Sequence, residues 1–261
     1  MRDPHVEILF FTCELSATLS FKNPPPLSHE NDVCTLKLDN GILEVKPKAH
    51  YGKADEARRV IEPFLRAWEF DSDLRLGLGS IRFRYRDAKI VDRDPPPPGS
   101  PQNIEVEGVA EIVFVSDSPT IHVEQTNYPE PPFFLGLPPD ADSMWNRYVR
   151  YVNGQEPLQG MAYFCLTVVE RVAPDNSKHR RKDAGKHYNI EKTVLDTLGN
   201  LTAKGDHKTA RKVVKRQPYR PLSDLQRVWI DSAIRAIIRR VVEQSAGISG
   251  PQLSMKDLPS L

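Results

Sequence analysis

The stretch PEPPFFLGLPPDADS, residues 129–143, decides how this 261-residue chain is organised. Proline occupies five of its fifteen positions. Because proline fixes φ and has no N–H to donate, such a stretch ends regular structure on both sides. Strand patterns precede it and helical patterns follow it. We therefore predict two domains, over residues 1–135 and 140–247, and a loose tail over residues 248–261.

Upstream of this stretch, strand patterns surround a single helical pattern. Apolar residues return at helical spacing over residues 54–70, although Pro63 is expected to kink or divide that helix. The pair Asn40-Gly41 suits the positive φ angles of a tight hairpin turn. Strand patterns cover residues 6–21, 33–47, 80–94, 103–117 and 120–130. This order predicts an α+β domain in which an antiparallel sheet carries one helix on a face.

Downstream, every pattern is helical. The segment of residues 157–172 is apolar nearly all round, which is typical of a buried central helix. Ser223 and Gln226 stand at capping-box spacing, before an apolar stripe that begins with Leu225 and Val228. Helical patterns cover residues 143–152, 157–172, 190–201 and 221–247. The second domain is therefore predicted to be an all-α bundle of about four helices.

The net charge of +1 hides an uneven distribution. Residues 1–170 carry 17 basic and 26 acidic residues, whereas residues 171–261 carry 19 basic and 9 acidic residues. Such a split predicts a basic surface in the second domain that suits a polyanion or an acidic protein partner. It equally fits attraction between the two halves or between two copies of the chain.

Several classes of protein are disfavoured by the patterns that the sequence lacks. It has no apolar run near the roughly 18–20 residues of a membrane-spanning helix, and its N-terminus does not resemble a secretory signal. Cys13, Cys34 and Cys165 have no metal-like spacing and fit small buried side chains in a reducing cytosol. The sequence also lacks a Walker-type phosphate loop and a histidine pair at metal spacing. We therefore expect a cytoplasmic protein with no cofactor, no metal and no membrane contact.

Basic residues concentrate in the segment HKTARKVVKRQPYR, residues 207–220, which contains no acidic residue. Lysine and arginine neutralise phosphates without sequence choice, and an aromatic side chain among them can stack on a base. A solvated loop between two helices is the alternative interpretation. We predict contacts with nucleic acid or an acidic partner from Arg180, Lys208, Arg211, Lys212, Lys215, Arg216, Tyr219 and Arg220.

The segment AGKHYNIEKTVLDTL, residues 184–198, resembles a helix-turn-helix, with Ala184 in its first helix and Asn189 at its turn. The resemblance implies that the second helix places its N-terminal residues at the edges of DNA bases. The element needs a packed helix just upstream, and the polar segment of residues 173–183 reads as a loop instead. Two acidic side chains would also face phosphates unfavourably, Glu191 and Asp196. An ordinary amphipathic helix is the alternative interpretation.

Arg181 and His187, with five residues between them in a predicted helical bundle, resemble the HEPN superfamily. Many members of that superfamily are metal-independent ribonucleases, often dimers in bacterial defence systems. The resemblance implies that His187 handles the proton of an attacking ribose hydroxyl while Arg181 stabilises charge on the phosphate. The position departs from the HEPN pattern, because Arg181 precedes the third predicted helix and not the last one.

The stretches VIEPFLRAWE, DRDPPPPGSP, MAYFCLTVVE and YNIEKTVLDTLGNL also resemble uncharacterised two-domain bacterial proteins, in which an α+β domain precedes a helical bundle. We predict a non-enzymatic protein whose basic C-terminal domain binds RNA, DNA or an acidic protein partner, in a bacterial defence or stress system. A homodimer through the helical domain is expected. The alternatives are a metal-independent endoribonuclease acting through Arg181 and His187, and a structural scaffold.

Overall fold

The computed structural model describes residues 1–16, 19–94, 106–108, 123–203 and 221–261. The chain divides into two compact units, Met1–Gly136 and Leu137–Leu261. The division falls inside the proline-rich stretch, residues 129–143. The beginning of that stretch is hydrogen-bonded to the rest of the first unit. Trp68 Nε1 donates to Pro129 O at 3.0 Å, and Gly41 N donates to the hydroxyl oxygen of Tyr128, the residue before the stretch, at 3.2 Å.

The N-terminal unit is built on one antiparallel sheet. Its strands are β1 Pro4–Leu15, β2 Leu19–Phe21, β3 Leu27–Glu30, β4 Cys34–Asp39, β5 Ile42–Pro47, β6 Ile81–Asp92, β7 Val106–Gly108 and β8 Val123–Gln125. The main sheet has the order β3-β4-β5-β1-β6-β7, with every neighbouring pair antiparallel. Strands β2 and β8 form a separate parallel pair. The predicted α+β class is confirmed.

The hairpin that joins β4 to β5 follows from the turn residues that the sequence places there. Asn40 has φ of 49° and Gly41 has φ of 75°, which are the left-handed angles that a two-residue hairpin turn requires. The turn sets the register Asp39↔Ile42, so Leu38 faces Leu43 and Leu36 faces Val45. All four of these apolar residues are buried, and they form part of the core beneath the helix.

The one helix among the described residues of this unit, α1 Ala54–Leu76, covers a face of the sheet. We expected Pro63 to kink or divide it, but the helix continues through Pro63 and is not divided. Pro63 is exposed, so its ring lies on the solvent side while Phe64 and Trp68 pack into the core. The packing of the buried face therefore outweighs the loss of one backbone hydrogen bond.

The C-terminal unit consists mainly of helices among its described residues. Its helices are α2 Pro139–Val152, α3 Leu158–Glu170, α4 Arg180–His187, α5 Lys192–Thr202 and α6 Asp224–Ser245. Helix α3 is the buried central helix, as predicted, and it contacts each of the other four. The bundle has five described helices where about four were expected, because residues 180–187 form a helix instead of a loop.

Helix α6 begins with the predicted capping box, in which Ser223 and Gln226 bond reciprocally. Its apolar stripe differs from the prediction at the first turns, since Leu225 and Val228 are 60% and 53% exposed. Burial begins at Trp229 and then follows helical spacing to Val242.

The C-terminal residues were expected to form a loose tail, and the structure corrects this. Leu253 is buried and forms a parallel bridge with Ile190. A 3₁₀ turn follows at Met255–Asp257, capped by Ser254. The sequence pattern missed this packing because a segment without periodic apolar residues can still be fixed by backbone hydrogen bonds to another segment.

Candidate nucleic-acid interface

Helices α4 and α5 are joined by four residues, 188–191, which is the order of helix, turn and helix that the sequence resemblance implied. We had interpreted residues 173–183 as a loop, which left this element without an upstream helix. The structure confirms a non-helical segment over residues 173–179, but α4 begins at Arg180, and α3, which precedes that segment, packs against both α4 and α5. The interior of the element is apolar and closed, with Ala184, Tyr188, Ile190, Val194, Leu195 and Leu198 all buried.

The turn between α4 and α5 depends on two residues that tolerate special backbone geometry. Asn189 has φ of 52°, a left-handed angle that asparagine adopts more readily than most residues. Gly185 lies in α4 directly against the returning chain. A Cβ atom at Gly185 would lie 2.5 Å from the carbonyl oxygen of Ile190, which is closer than any real contact. The helices therefore approach each other at a position that only glycine fits.

The C-terminal segment holds the same turn from the other side. Leu253 N donates to Asn189 O at 3.0 Å, and Glu191 N donates to Leu253 O at 2.8 Å. The side-chain amide of Asn189 donates to Gly250 O at 2.8 Å. These bonds satisfy the backbone of the turn and fix where α5 begins.

Arg181 joins three helices of the unit. Its Nε donates to Glu170 Oε1 on α3 at 2.9 Å, and its Nη1 donates to Asp196 Oδ1 on α5 at 3.4 Å. The guanidinium lies over Gly199, where a Cβ atom would come within 2.3 Å of Nη2. Arg181 therefore positions α5 against α3 and α4.

Arg181 and His187 do not converge. Six residues along an ideal helix correspond to about 9 Å of rise and a turn of about 120° between the two side chains. Arg181 faces the carboxylates of α3 and α5, whereas His187 is exposed and contacts the ring of Tyr188 edge-on, with centroids 4.6 Å apart. Arg180 shares the face of His187, but it lies about 10 Å away along the axis.

The outer face of α4 is basic. Lys182 and Lys186 are four residues apart, so they lie on one side of the helix, and both are exposed. Within the described part of the chain, neither lysine has a carboxylate within 4 Å. Arg180 is also exposed, and its nearest carboxylate is that of the fully exposed Asp175 at 4.0 Å. This face can meet an anion without breaking an internal ion pair.

The acidic residues of α4, α5 and the turn between them accept hydrogen bonds from other residues of the protein. Asp183 accepts a hydrogen bond from Ser177 Oγ near the start of α4, and Glu191 accepts one from Met255 N. Asp196 is bonded by both Lys192 and Arg181. Partial burial raises the pKa of Asp196, but the hydrogen bonds from Lys192 and Arg181 outweigh it and hold that pKa below its usual value. Of the two negative charges that we expected to oppose phosphates, that of Asp196 is paired with Lys192 and Arg181, whereas Glu191 keeps its charge and accepts a hydrogen bond from the backbone.

The remaining predicted contact residues lie outside the described residues. They are Lys208, Arg211, Lys212, Lys215, Arg216, Tyr219 and Arg220. Of the nucleic-acid contacts predicted from sequence, only Arg180 is placed by the structure. Sequence reasoning missed Lys182 and Lys186, and the signal was present: the buried pair Ala184-Gly185 lies between them, as expected for a packed helix with a polar outer face.

Comparison with models of protein families, with curated proteins and with solved structures finds no match to this chain. The resemblance to the HEPN superfamily therefore stays a prediction from sequence. Among the described residues, no helix is both long enough and apolar enough to cross a membrane. The same part of the chain holds no group of three or more histidine, cysteine, aspartate or glutamate residues arranged to bind a metal ion.

Proposed function

We propose that the C-terminal unit binds double-stranded DNA through the helix-turn-helix α4–α5, without catalysing a reaction. The observation that carries the proposal is the closed turn at Asn189 and Gly185, which fixes α5 beside a helix whose outer face carries unpaired lysines. In proteins that use this motif, the second helix enters the major groove while the first crosses the backbone. Here α5 is the helix that enters the major groove, and α4 is the helix that crosses the DNA backbone.

Duplex DNA suits this arrangement better than RNA. The major groove of B-form DNA is about 12 Å wide and admits an α-helix, whereas the major groove of A-form RNA is too deep and narrow for side chains to read. Single-stranded RNA is usually bound by exposed aromatic rings on which bases stack. Tyr188, the aromatic residue of this element, is buried in the interior of the helix pair.

The lysines of α4 supply the affinity in this proposal. Lys182 and Lys186 neutralise phosphates and release counterions, so binding weakens as the salt concentration rises. Arg180 adds a third basic side chain on another side of the helix. Arg181 binds no phosphate in this account, because its guanidinium is already bonded to Glu170 and Asp196.

The cytoplasm is the compartment that we propose for this activity. All three cysteines are free thiols. Burial raises the pKa of Cys34 to about 11 and that of Cys13 to about 12, so both stay protonated and unreactive at neutral pH. Free, buried thiols are usual in a reducing compartment.

The test is a comparison of binding to a labelled DNA duplex by the full chain and two double variants. Replacing Lys182 and Lys186 with alanine should weaken binding about tenfold at low salt, because two phosphate contacts are lost. The matched control, Lys37→Ala with Lys46→Ala, removes two exposed lysines from the N-terminal unit and should bind like the wild type.

Three results would overturn the proposal. The first is no binding to the duplex at low salt, which would direct the search to an acidic protein partner. The second is equal affinity for the wild type and the variant that lacks Lys182 and Lys186. The third is tighter binding to single-stranded RNA than to the duplex. If the protein also cleaves that RNA, and His187→Ala abolishes the cleavage, the ribonuclease alternative is favoured.

A further inference from the structure

The exposed side of α5 carries an uncharged polar strip of three residues, Thr193, Thr197 and Asn200. Residues at spacings of four and seven lie within about 60° of one another around an ideal helix. Thr193 and Asn200 are exposed and Thr197 is partly exposed. The opposite side of α5 is buried in the bundle by Val194, Leu195, Leu198 and Leu201. The strip is therefore the side of α5 that can meet a ligand.

The three side chains of this strip make no hydrogen bond to the described part of the chain. Thr202, on the buried side of the same helix, is satisfied, because its hydroxyl donates to Gly199 O at 3.0 Å. The charged residues beside the strip are satisfied too, since Lys192 donates to Asp196. The strip thus presents one amide and two hydroxyl groups, each with a donor and an acceptor available.

The strip has the length of a short base sequence. Seven residues of helix rise about 10.5 Å. Successive base pairs are about 3.4 Å apart. The three side chains therefore span about three base pairs when α5 lies lengthwise in the major groove, so that Asn200 in its last turn, and not only its N-terminal residues, reaches a base edge.

We infer that the strip reads A·T base pairs in the major groove, with Asn200 on adenine and the methyl groups of Thr193 and Thr197 on thymine. The inference rests on the proposed function. Asparagine pairs bidentately with adenine N6 and N7, and a threonine methyl packs against the thymine methyl. Each of these groups is aimed at solvent and has no competing partner inside the described residues.

The charged neighbours of the strip argue against G·C recognition. Guanine is usually read by arginine or lysine, and cytosine N4 by a carboxylate. Among the described residues, the side chains of those types beside the strip are Lys192 and Asp196, and they are bonded to each other. Asp196 is held in addition by Arg181. Reading a G·C pair would require these bonds to break, whereas reading A·T pairs leaves them intact.

The experiment selects bound duplexes from a pool with a randomised central segment, using the full chain, Asn200→Ala and Asn153→Ala. Asn153 is an exposed asparagine at the end of α2 and serves as the matched control. The wild type and Asn153→Ala should enrich the same short motif containing consecutive A·T pairs. Asn200→Ala should lose preference at one adenine by about tenfold.

The outcomes separate this inference from the proposed function. Binding without any enriched motif would overturn the inference and leave DNA binding intact. An enriched motif of G·C pairs, or an A·T motif that Asn200→Ala enriches as strongly as the wild type, would also overturn it. No retention of any duplex at low salt would overturn the proposed function itself, and with it the inference.

Discussion

Strand β6 and helix α4 are both rich in basic residues, yet their charges are placed in opposite ways. On β6, each of three arginines meets a carboxylate: Arg82 with Asp73 at 2.7 Å, Arg84 with Glu14 at 3.4 Å and Arg86 with Asp87 at 2.8 Å. On α4, Arg181 is held in this way and Arg180 lies 4.0 Å from the exposed Asp175, whereas the outer lysines have no carboxylate within 4 Å among the described residues.

The difference shows that basic residues in a sequence do not by themselves mark a binding surface. A paired arginine already has the partner that a phosphate would replace, so binding an anion there gains little. An unpaired lysine gains the full interaction with the phosphate and releases a counterion. From this pairing pattern we propose that the β6 arginines serve the stability of their own unit and that the outer face of α4 meets a ligand.

The largest effect on stability is expected at Gly185, where the turn between α4 and α5 leaves no room for a side chain. Gly185→Ala places a Cβ atom 2.5 Å from Ile190 O, so the turn must shift. We expect a loss of about 3 kcal/mol in the free energy of unfolding of the C-terminal unit, together with loss of duplex-DNA binding. Denaturant unfolding and a binding titration measure the two effects.

Gly52→Ala is the control for this prediction, because its Cβ atom would meet only ordinary contacts of 3.8 Å and 3.9 Å to Pro4. It should leave both properties near the wild type. Wild-type stability and binding in Gly185→Ala would mean that the turn is not the tight element described here.

A smaller effect is expected from the paired arginine of β6. Arg82 bonds both carboxylate oxygens of Asp73, whose side chain is only 1% exposed. Arg82→Ala leaves that carboxylate buried with Ser80 as its remaining donor, so we expect a loss of about 2 kcal/mol in unfolding free energy. Lys186→Ala, on α4, should change stability by less than about 0.5 kcal/mol. Equal losses of unfolding free energy in the two variants would contradict the difference between the paired arginines of β6 and the outer lysines of α4.

The smallest effect concerns the pH dependence of the Arg181 network. The pKa of Asp196 in the folded protein lies below its usual value of 3.8. Its contribution to stability is therefore present above that usual value and is lost as the pH falls through the lowered pKa. We expect Asp196→Asn to cost less than about 1 kcal/mol near neutral pH, and this cost should vanish as the pH falls through the lowered pKa of Asp196. Unfolding curves of both proteins across that pH range measure the difference, and a cost that is independent of pH would contradict it.

Most of the N-terminal fold could be predicted from sequence because its signals are local. Alternation marks the strands, and Asn40-Gly41 sets the hairpin through the φ angles that those residues tolerate. The helix was not divided at Pro63 as expected, because the buried face of α1 is packed tightly enough for the helix to continue through this residue. At that position tertiary packing outweighs the low helix propensity of proline.

The candidate site was harder to predict because it is made by contacts between distant residues. Helix α4 has only two buried residues, Ala184 and Gly185, so its pattern is too short to separate from a loop. The pairing of Arg181 with Glu170 and of Asn189 with Gly250 joins segments that no local rule connects. The helix-turn-helix resemblance placed Ala184 in a first helix and Thr193 in a second, but the sequence could not show that Asp196 is paired with Lys192 and Arg181.

The most direct test of the account is the salt dependence of duplex-DNA affinity for three proteins. These are the wild type, the variant with Lys182→Ala and Lys186→Ala, and the variant with Arg84→Ala and Arg86→Ala. The slope of log K against log salt concentration should fall in magnitude by about 2 in the lysine variant, because each phosphate contact contributes about 0.9. The arginine variant should keep the wild-type slope. An unchanged slope in the lysine variant, or a reduced slope in the arginine variant, would contradict the assignment of DNA binding to α4.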